Sequence, residues 1–327
     1  MKIFVLSLLI LVFLVAGFFL IGKPPTPQKI IWGANFSQQH TENLGLNWKE
    51  TYLALLDDLG ARYFKNSVQW DLIEPQKDNY LFDDVDWQIN ETEKRGGKII
   101  LVIGMKTSRW PECHIPDWAK GLTKEEQQED ILEMIKQVVL RYKDSETINA
   151  WQLENEPFFP FGECPWIDEG FVKEEVKLVK SLDAAKKPII ISDSGEGSFW
   201  IRAAKIADIV GTTLYRIVWA KEYNRYFDYP LTPNFYWRKA KIVDRFFHKK
   251  VICIELQAEP WGPKLLYDSP LEEQKKSMNL EQFKEVVAFA KKTGLDEFYF
   301  WGDEWWYWMK IKQNDASIWN EAKNLFH

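Results

Sequence analysis

Short apolar runs alternate along the chain with longer segments in which apolar residues recur every three or four positions. The short runs are rich in β-branched and aliphatic residues, which is typical of buried strands, and the longer segments have the period of amphipathic helices. Strands are predicted within residues 30–35, 63–67, 99–103, 148–153, 189–192, 209–213, 251–255 and 297–301. Helices are predicted over 48–59, 84–95, 124–142, 171–182, 198–206, 235–247, 280–293 and 317–326.

Eight strand–helix units in about 300 residues are what a (β/α)8 TIM barrel requires. The predicted fold class is therefore α/β, with one barrel domain over residues 30–327. A doubly wound open sheet is the alternative. That fold would be expected to carry a glycine-rich phosphate loop after an early strand, and the sequence has none.

An apolar segment over residues 3–22 precedes the barrel and is interrupted only by Ser7. Its twenty residues are enough to cross a bilayer and exceed the usual apolar region of a signal peptide. We expect residues 1–23 to be an uncleaved signal anchor that attaches the protein to a membrane, and residues 24–29 to be a proline-rich tether. A cleaved signal peptide is the alternative, and either one places the domain outside the cytoplasm.

Composition adds three points. The net charge of −6 and the absence of a basic cluster argue against nucleic acid as a partner. The 17 tryptophans all follow residue 30, and such rings either pack in cores or stack on the apolar faces of sugar rings. Cys253 lies in an apolar run and is predicted to be a buried free thiol, whereas Cys113 and Cys164 lie in loops and are either a disulfide or two unrelated thiols. No cysteine or histidine spacing resembles a zinc site, and no other feature of the sequence implies a metal or an organic cofactor.

Polar and aromatic residues collect at or just after the predicted strand ends. In (β/α)8 barrels the catalytic side chains come from the C-terminal ends of several strands. The candidates for catalysis or ligand binding are therefore Asn35, Trp70, Arg109, His114, Asn155, Glu156, Tyr215, Glu255, Glu259 and Trp301.

Two of these candidates, Glu156 and Glu255, end the fourth and seventh barrel strands, which face each other across the barrel axis. Glycoside cleavage needs two such carboxyl groups, one to protonate the leaving oxygen and one to attack or stabilise the anomeric carbon. Each glutamate could instead be a solvated loop charge or half of a structural ion pair. Their joint position at two opposed strand ends favours catalysis.

Each of the two glutamates has a rival nearby. Glu154 precedes Glu156 by two residues, and strand alternation puts both on the same face, so parity does not separate them. Glu259 follows Glu255 by four residues. The adjacent Asn155 favours Glu156, and the length of the apolar strand favours Glu255.

The chain resembles the retaining (β/α)8 glycoside hydrolases of clan A, which include cellulases, β-mannanases and β-galactosidases. Five features that follow one another in barrel order carry the resemblance across residues 30–327. They are the run Trp70-x-x-Ile73-Glu74-Pro75 with Tyr80, Phe82 and Asp86 after it, then Asn155-Glu156-Pro157, Tyr215, the strand 251–255 ending in Glu255, and Trp301. The resemblance implies that Glu156 is the acid/base and Glu255 the nucleophile. It also implies that Asn155 binds the sugar 2-hydroxyl, Tyr215 hydrogen-bonds the nucleophile, and Trp301 forms the floor of the sugar site.

One departure concerns the second strand, where many members of the clan carry an arginine that holds the nucleophile. This chain has Lys65 and Asn66 there, and Arg109 or Arg216 could substitute. The predicted function is retaining hydrolysis of β-linked O-glycosidic bonds in an oligo- or polysaccharide. The alternatives are a barrel that binds carbohydrate without cleaving it and a transglycosidase that remodels surface glycans. The sugar, the linkage, exo or endo action and the oligomeric state stay open.

Overall fold

The computed structural model describes residues 17–326. At its centre, eight parallel strands form a closed barrel in chain order, and the last strand pairs with the first. The chain contains β1 (Ile31–Phe36), β2 (Tyr63–Ser67), β3 (Lys98–Ile103), β4 (Ile148–Leu153), β5 (Ile189–Asp193), β6 (Ile209–Leu214), β7 (Ile217–Ala220), β8 (Arg225–Asp228), β9 (Lys250–Gln257) and β10 (Glu297–Trp301). The strands β7 and β8 form a separate antiparallel pair, and the other eight form the barrel. The predicted (β/α)8 barrel is confirmed.

The helices pack around the barrel between successive strands. They span Gln38–Asn43, Trp48–Ala54, Trp70–Ile73, Asp83–Glu93, Lys124–Tyr142, Glu169–Leu182, Ile201–Ile206, Pro233–Phe247, Leu271–Gln274, Leu280–Ala290, Asp303–Lys312 and Ser317–Phe326. The longest begins where Thr123 and Glu126 form a capping box, in which each side chain binds the other residue's backbone N–H. The helix Asp303–Lys312 was not predicted because its apolar residues, which are mostly aromatic, lack a clear helical stripe.

The apolar core has two layers. The larger layer lies between the strands and the helices, and a smaller cluster fills the inside of the barrel. That inner cluster consists of Ile100, Ala150, Ile190, Ile252, Ile254 and Tyr299. Because both faces of each strand are covered, the strands have nearly continuous apolar sequences, which is why they could be recognised without an alternating pattern.

The strand β9 carries an irregularity immediately before Glu255. Its pairing with β6 skips one residue, since Thr212 pairs with Cys253 and the next residue, Thr213, pairs with Glu255. The pairing with β10 shifts at the same place. Ile254 fills the barrel interior, so simple alternation would turn Glu255 outward. The extra residue is a β-bulge, and it re-aims the Glu255 side chain toward the barrel mouth.

The structure describes only the end of the predicted signal anchor. Residues 17–22, the described end of the predicted anchor, pack on the barrel, where the Phe19 ring centroid lies 5.6 Å from the ring centroids of Phe199 and Phe235. Residues 1–16 lie outside the described residues, so the anchor stays a prediction. Across the part of the chain that the structure describes, no helix is both long enough and apolar enough to cross a membrane.

The cysteine alternatives are resolved. Cys113 and Cys164 form a disulfide that joins the loop after β3 to the loop after β4, with their Cα atoms 5.2 Å apart. Cys253 is a buried free thiol, as predicted.

Candidate active site

Glu255 is held by two side chains that approach its two carboxyl oxygens separately. Lys65 Nζ lies 2.7 Å from Oε1, and the Tyr215 hydroxyl donates to Oε2 at 2.9 Å. Lys65 is fully buried and also donates to Ser108 Oγ at 2.9 Å. Burial and then the charge of Glu255 raise the pKa of Tyr215 well above its ordinary value, so the hydroxyl stays protonated and acts as the hydrogen-bond donor. The carboxylate is therefore fixed in orientation and balanced by a buried cation.

Lys65 thus takes the place expected for the clan's second-strand arginine. The suggestion that Arg109 or Arg216 could substitute is wrong. Arg109 pairs with other carboxylates, and Arg216 pairs with Asp228 in the β7–β8 hairpin at 3.2 Å.

Glu156 follows β4 and lies in a very different environment. Its backbone N–H donates to Ser192 Oγ at 2.7 Å, and its Oε1 has only a long contact of 3.4 Å with Thr213 Oγ1. Burial, and after it the negative charge of Glu255, raise the pKa of Glu156 well above its ordinary value. A carboxyl group that keeps its proton next to an ion-paired carboxylate is the arrangement that general acid catalysis requires.

The backbone conformation, and not the alternation of a strand, directs the side chains of Glu154 and Glu156 to different places. The strand ends at Leu153, and both glutamates adopt left-handed conformations, with φ of 58° at Glu154 and 43° at Glu156. The alternation argument for a shared face is therefore wrong. Glu154 is turned away and accepts the backbone N–H groups of Met105 at 2.8 Å and Lys106 at 2.6 Å. It ties the end of β4 to the end of β3.

A central cavity of about 650 Å³ contains both Glu156 and Glu255 in its wall. Asn155 and Tyr215 also line it. The aromatic residues of the wall come from three loops, from the β7–β8 hairpin and the residue after it, and from the end of β10: Trp110, Phe159, Phe161, Trp219, Tyr223, Phe227, Tyr229, Trp261 and Trp301. A side cavity of about 550 Å³ shares part of this wall. The shared residues include Trp110, Glu112, Phe161, Trp219, Trp261 and Trp301, so the two cavities are adjoining lobes of one cleft.

Arg109 and Glu259, predicted as substrate contacts, are engaged with each other at the wall of the side cavity. The guanidinium of Arg109 pairs with Glu259 and also with Glu304, whose Oε2 lies 2.9 Å from Nη2. Its Cζ lies 3.9 Å from the centroid of the Trp301 ring. Burial by itself would raise the pKa of Glu259, but the charges of Arg109 and of His40, 3.3 Å away, lower it to about 2.

The same cluster includes three groups that could in principle ligate a metal ion. Oxygen or nitrogen atoms of His40, Glu259 and Glu304 lie within 4.8 Å of one another. Arg109 already binds both carboxylates, so the cation that this cluster takes is supplied by the protein itself. Glu259 is therefore part of an ion-pair network and does not line the central cavity that contains Glu156 and Glu255.

Asn35 lies inside the barrel rather than in the cleft wall. Its Nδ2 donates to the carbonyl oxygens of Ile254 at 3.0 Å and Phe300 at 2.9 Å. These bonds link β1 to β9 and β10 just below the bulge that aims Glu255. The expected contact between Asn35 and the substrate is replaced by this structural contact.

The prediction that Trp70 and His114 contact the substrate is also corrected, because both are completely buried and neither lines the central cavity. Trp70 Nε1 donates to Glu74 Oε2 at 2.7 Å. His114 Nε2 lies 3.1 Å from both the Arg109 carbonyl oxygen and Gln69 Nε2. The signal for these residues was their place after a strand, which does not distinguish a loop core from a cleft wall.

Three functional side chains were not selected from the sequence. Lys65 could have been found as a lone charge within an otherwise uncharged strand. Glu196 lines the central cavity and accepts the Tyr215 backbone N–H at 2.8 Å. Glu112 lines both cavities. Nothing in the local sequence of either glutamate separates it from a solvated loop charge.

A closed barrel with an ion-paired glutamate and a second glutamate of raised pKa in one aromatic cleft resembles the fold and site of glycoside hydrolases. Residues 32–172 match the family model described as Glycosyl hydrolase family 10. The match runs from β1 past β4 and includes Glu156, whereas Glu255 lies beyond it. The predicted resemblance to the clan A barrel enzymes is confirmed, and the match supports the predicted enzyme class, a glycoside hydrolase.

Solved structures with the same barrel include an endo-β-1,4-xylanase of glycoside hydrolase family 10 from Gloeophyllum trabeum. It is 16% identical with a TM-score of 0.59, and the alignment covers 92% of this chain and 97% of that one. A β-galactosidase from Marinomonas ef1 is 12% identical with a TM-score of 0.59, covering 91% of this chain and 59% of that one. A GH5_18 protein from Streptomyces cattleya in complex with GlcNAc is 11% identical with a TM-score of 0.56, covering 86% and 71%. At these identities the likeness establishes the fold. The chain spans about three fifths of the length of that β-galactosidase.

Proposed function

We propose that this glycoside hydrolase cleaves β-linked glycosidic bonds with retention of configuration, with Glu156 as acid/base and Glu255 as nucleophile. The observation that carries the proposal is the contrast between the two carboxyl groups in one cavity. Glu255 is paired with Lys65 at 2.7 Å, whereas burial and the charge of Glu255 raise the pKa of Glu156 well above its ordinary value. Environments that differ in this way assign the acid and the anion.

In the first step, a carboxylate oxygen of Glu255 attacks the anomeric carbon and forms an ester. The bond to the leaving oxygen breaks, and the proton of Glu156 passes to that oxygen, so the leaving sugar departs as a neutral alcohol. Tyr215 and Lys65 hold the attacking carboxylate on separate oxygens. The aromatic side chains in the cleft wall reduce the water around the reacting groups.

In the second step, the roles of Glu156 reverse. Forming the ester removes the negative charge of Glu255, which is the second cause of the raised pKa of Glu156. The pKa of Glu156 therefore falls, and the ionised group takes a proton from the water that attacks the anomeric carbon. The ester bond breaks, Glu255 is released as a carboxylate, and the proton stays on Glu156 for the next cycle.

The substrate contacts follow from the residues that line the cleft. Asn155, next to Glu156 in the cavity wall, is the proposed partner of the sugar 2-hydroxyl. Trp301 is the proposed floor, and only the ring face that Arg109 leaves free is available for stacking. The two adjoining lobes, of about 650 and 550 Å³, fit an oligo- or polysaccharide that extends beyond one sugar unit.

The proposal is tested with a panel of aryl β-glycosides of xylose, glucose, galactose, mannose and N-acetylglucosamine, together with β-1,4-xylan. Proton NMR of the first product should show the β-anomer before mutarotation. Glu255→Ala should abolish turnover, with an exposed-site variant such as Glu163→Gln as control. Turnover that survives in Glu255→Ala, or an α-anomer as the first product, would show that the assignment is wrong.

Two alternatives remain as outcomes of that assay. A barrel that binds carbohydrate without cleaving it would bind the panel but release no aryl group. The missing second-strand arginine is the main argument for a barrel that only binds, and Lys65 supplies the cation that the arginine would provide. A transglycosidase shares every residue with the hydrolase, and it would yield elongated products when a second sugar is added as acceptor.

We further propose that the barrel works outside the cytoplasm, attached through residues 1–23. The apolar sequence of that segment and the disulfide between Cys113 and Cys164 support this location, because disulfides persist in oxidising compartments. The test is protease accessibility of the barrel in intact cells, combined with membrane fractionation. A protected barrel in intact cells would contradict the location, and recovery in the medium would favour the cleaved signal peptide.

A further inference from the structure

Glu112 is a buried carboxyl group in the cleft to which the reaction scheme gives no part. It lies in the loop after β3 and lines both the central and the side cavity. Its backbone is fixed, since its N–H donates to the Arg109 carbonyl at 2.7 Å and its own carbonyl accepts the Thr107 N–H at 2.9 Å. The neighbouring residue, Cys113, is disulfide-bonded to the loop after β4. The side chain is therefore held at the junction of the two cavities.

Only one oxygen of Glu112 is used by the protein. Oε2 accepts a hydrogen bond from Asn155 Nδ2 at 3.1 Å, and no donor among residues 17–326 binds Oε1. Gln152 Nε2 lies 3.3 Å from Asn155 Oδ1. The amide of Asn155 is thus oriented from both ends, with its second N–H left for a ligand.

Because Glu112 lines both cavities, its Oε1 is open to water or to a ligand that enters the cleft. Burial raises the pKa of Glu112 to about 7, against the opposing charge of Lys106. A sugar hydroxyl that entered the junction would supply the missing donor. It would also replace the water displaced when the cleft fills.

We propose that Glu112 is a substrate-specificity residue that accepts a hydrogen bond from one sugar hydroxyl through Oε1 and aligns the Asn155 amide through Oε2. This role rests on the proposed hydrolysis, because it concerns the sugar bound beside Glu156. It selects sugars that present a hydroxyl donor at the junction, and it disfavours those that carry a deoxy carbon there. A site that hydrogen-bonds a hydroxyl rejects the analogue lacking it far more strongly than an apolar pocket would.

The experiment pairs Glu112→Gln with a series of monodeoxy aryl β-glycosides built on the sugar that the wild type cleaves fastest. In the wild type, removal of one particular hydroxyl should lower kcat/KM at least tenfold. At pH 8, where Glu112 is ionised, the parent substrate should lose about 10–100-fold in Glu112→Gln, because a charge-assisted hydrogen bond is weakened. Removal of that same hydroxyl should then cost little more. The control is Glu163→Gln, which changes an exposed glutamate near the same disulfide and should leave the whole series unchanged.

Each outcome decides the inference. A hydroxyl-specific loss that disappears in Glu112→Gln supports it, and a uniform loss across the series, or no loss, overturns it. Thermal unfolding of each variant shows whether the fold is kept, and Glu112→Asp provides a second variant with the charge retained. If the wild type cleaves none of the parent glycosides, the proposed hydrolysis fails. The same deoxy series is then measured by calorimetric binding, where loss of the hydroxyl dependence in Glu112→Gln still decides the role of Glu112.

Discussion

Replacing Glu154 and Glu156 separately by glutamine should produce opposite effects, although the two residues are alike, buried and separated by one position. Both substitutions keep the shape of the side chain and remove the carboxyl group that can bind and release a proton. Glu154 is bonded to the backbone of the preceding loop, whereas Glu156 faces the central cavity. We expect Glu154→Gln to lose stability and keep activity, and Glu156→Gln to lose activity and keep stability.

The magnitude for Glu154 follows from its contacts. Its two oxygens accept the N–H groups of Met105 and Lys106 at 2.8 and 2.6 Å. Glutamine has one accepting oxygen, so one buried N–H would face an amide NH2 group, and an unsatisfied buried donor costs about 1–3 kcal/mol. With the weaker bond to the other N–H, the free energy of unfolding should fall by about 2–4 kcal/mol. At about 2.1 cal/mol/K of unfolding entropy per residue, this lowers Tm by roughly 3–6 °C.

The magnitude for Glu156 comes from the chemistry that it supplies. General acid–base catalysis contributes about 10²–10⁴-fold, so Glu156→Gln should lower kcat/KM by that factor on an oligosaccharide with a poor leaving group. The pKa of Glu156 is raised in the folded state, so its contribution to stability is present below about pH 4.5 and is lost as the pH rises toward the folded pKa. Glutamine does not undergo that loss, so the variant should be at least as stable as the wild type at pH 7.

The assay measures kcat/KM on an oligosaccharide and on an aryl glycoside with an acidic phenol, beside thermal unfolding of the three proteins. The loss in Glu156→Gln should be larger on the oligosaccharide, because an acidic phenol departs from the first step without a proton. Retained activity in Glu156→Gln together with lost activity in Glu154→Gln, at an unchanged Tm, would refute the assignment of the acid.

Three further predictions concern the surroundings of the site. Lys65→Met should lower kcat/KM by about 10–100-fold, since a buried charge-assisted hydrogen bond contributes about 1.5–3 kcal/mol, while the exposed-site control Lys77→Met should have no effect. Replacing Cys113 and Cys164 together by serine opens a link between residues 51 positions apart, and denaturant unfolding should show a loss of about 2–4 kcal/mol; an unchanged midpoint would contradict this. Burial and the neighbouring carboxylate of Glu154 raise the pKa of Glu175 well above 4.5, so wild-type stability should decline as the pH rises above that value. In Glu175→Gln that decline should be smaller between pH 5 and 8, and identical profiles would argue against the buried pair.

The barrel could be predicted because its strands are short apolar runs that differ clearly from the helical segments between them. All eight barrel strands begin within one residue of the predicted start. The hairpin β7–β8 was not predicted, although Trp219 and Phe227 from it line the central cavity. The strand β7 is apolar but has only four residues and is half buried, and β8 is apolar only at its two central residues, so neither matches the longer buried runs of the barrel strands.

The amino-acid sequence by itself determined the eight-unit barrel and the residues that stand at its strand ends, because strand and helix periods depend on neighbours in the chain. Only the tertiary structure decided which of those residues share a cavity. Left-handed backbone at Glu154 and Glu156 separates two glutamates that alternation would keep together. A bulge in β9 turns Glu255 inward, and its cation comes from Lys65, 190 positions away. Such contacts depend on how strands are registered around the closed barrel, and that geometry is absent from any local stretch of sequence.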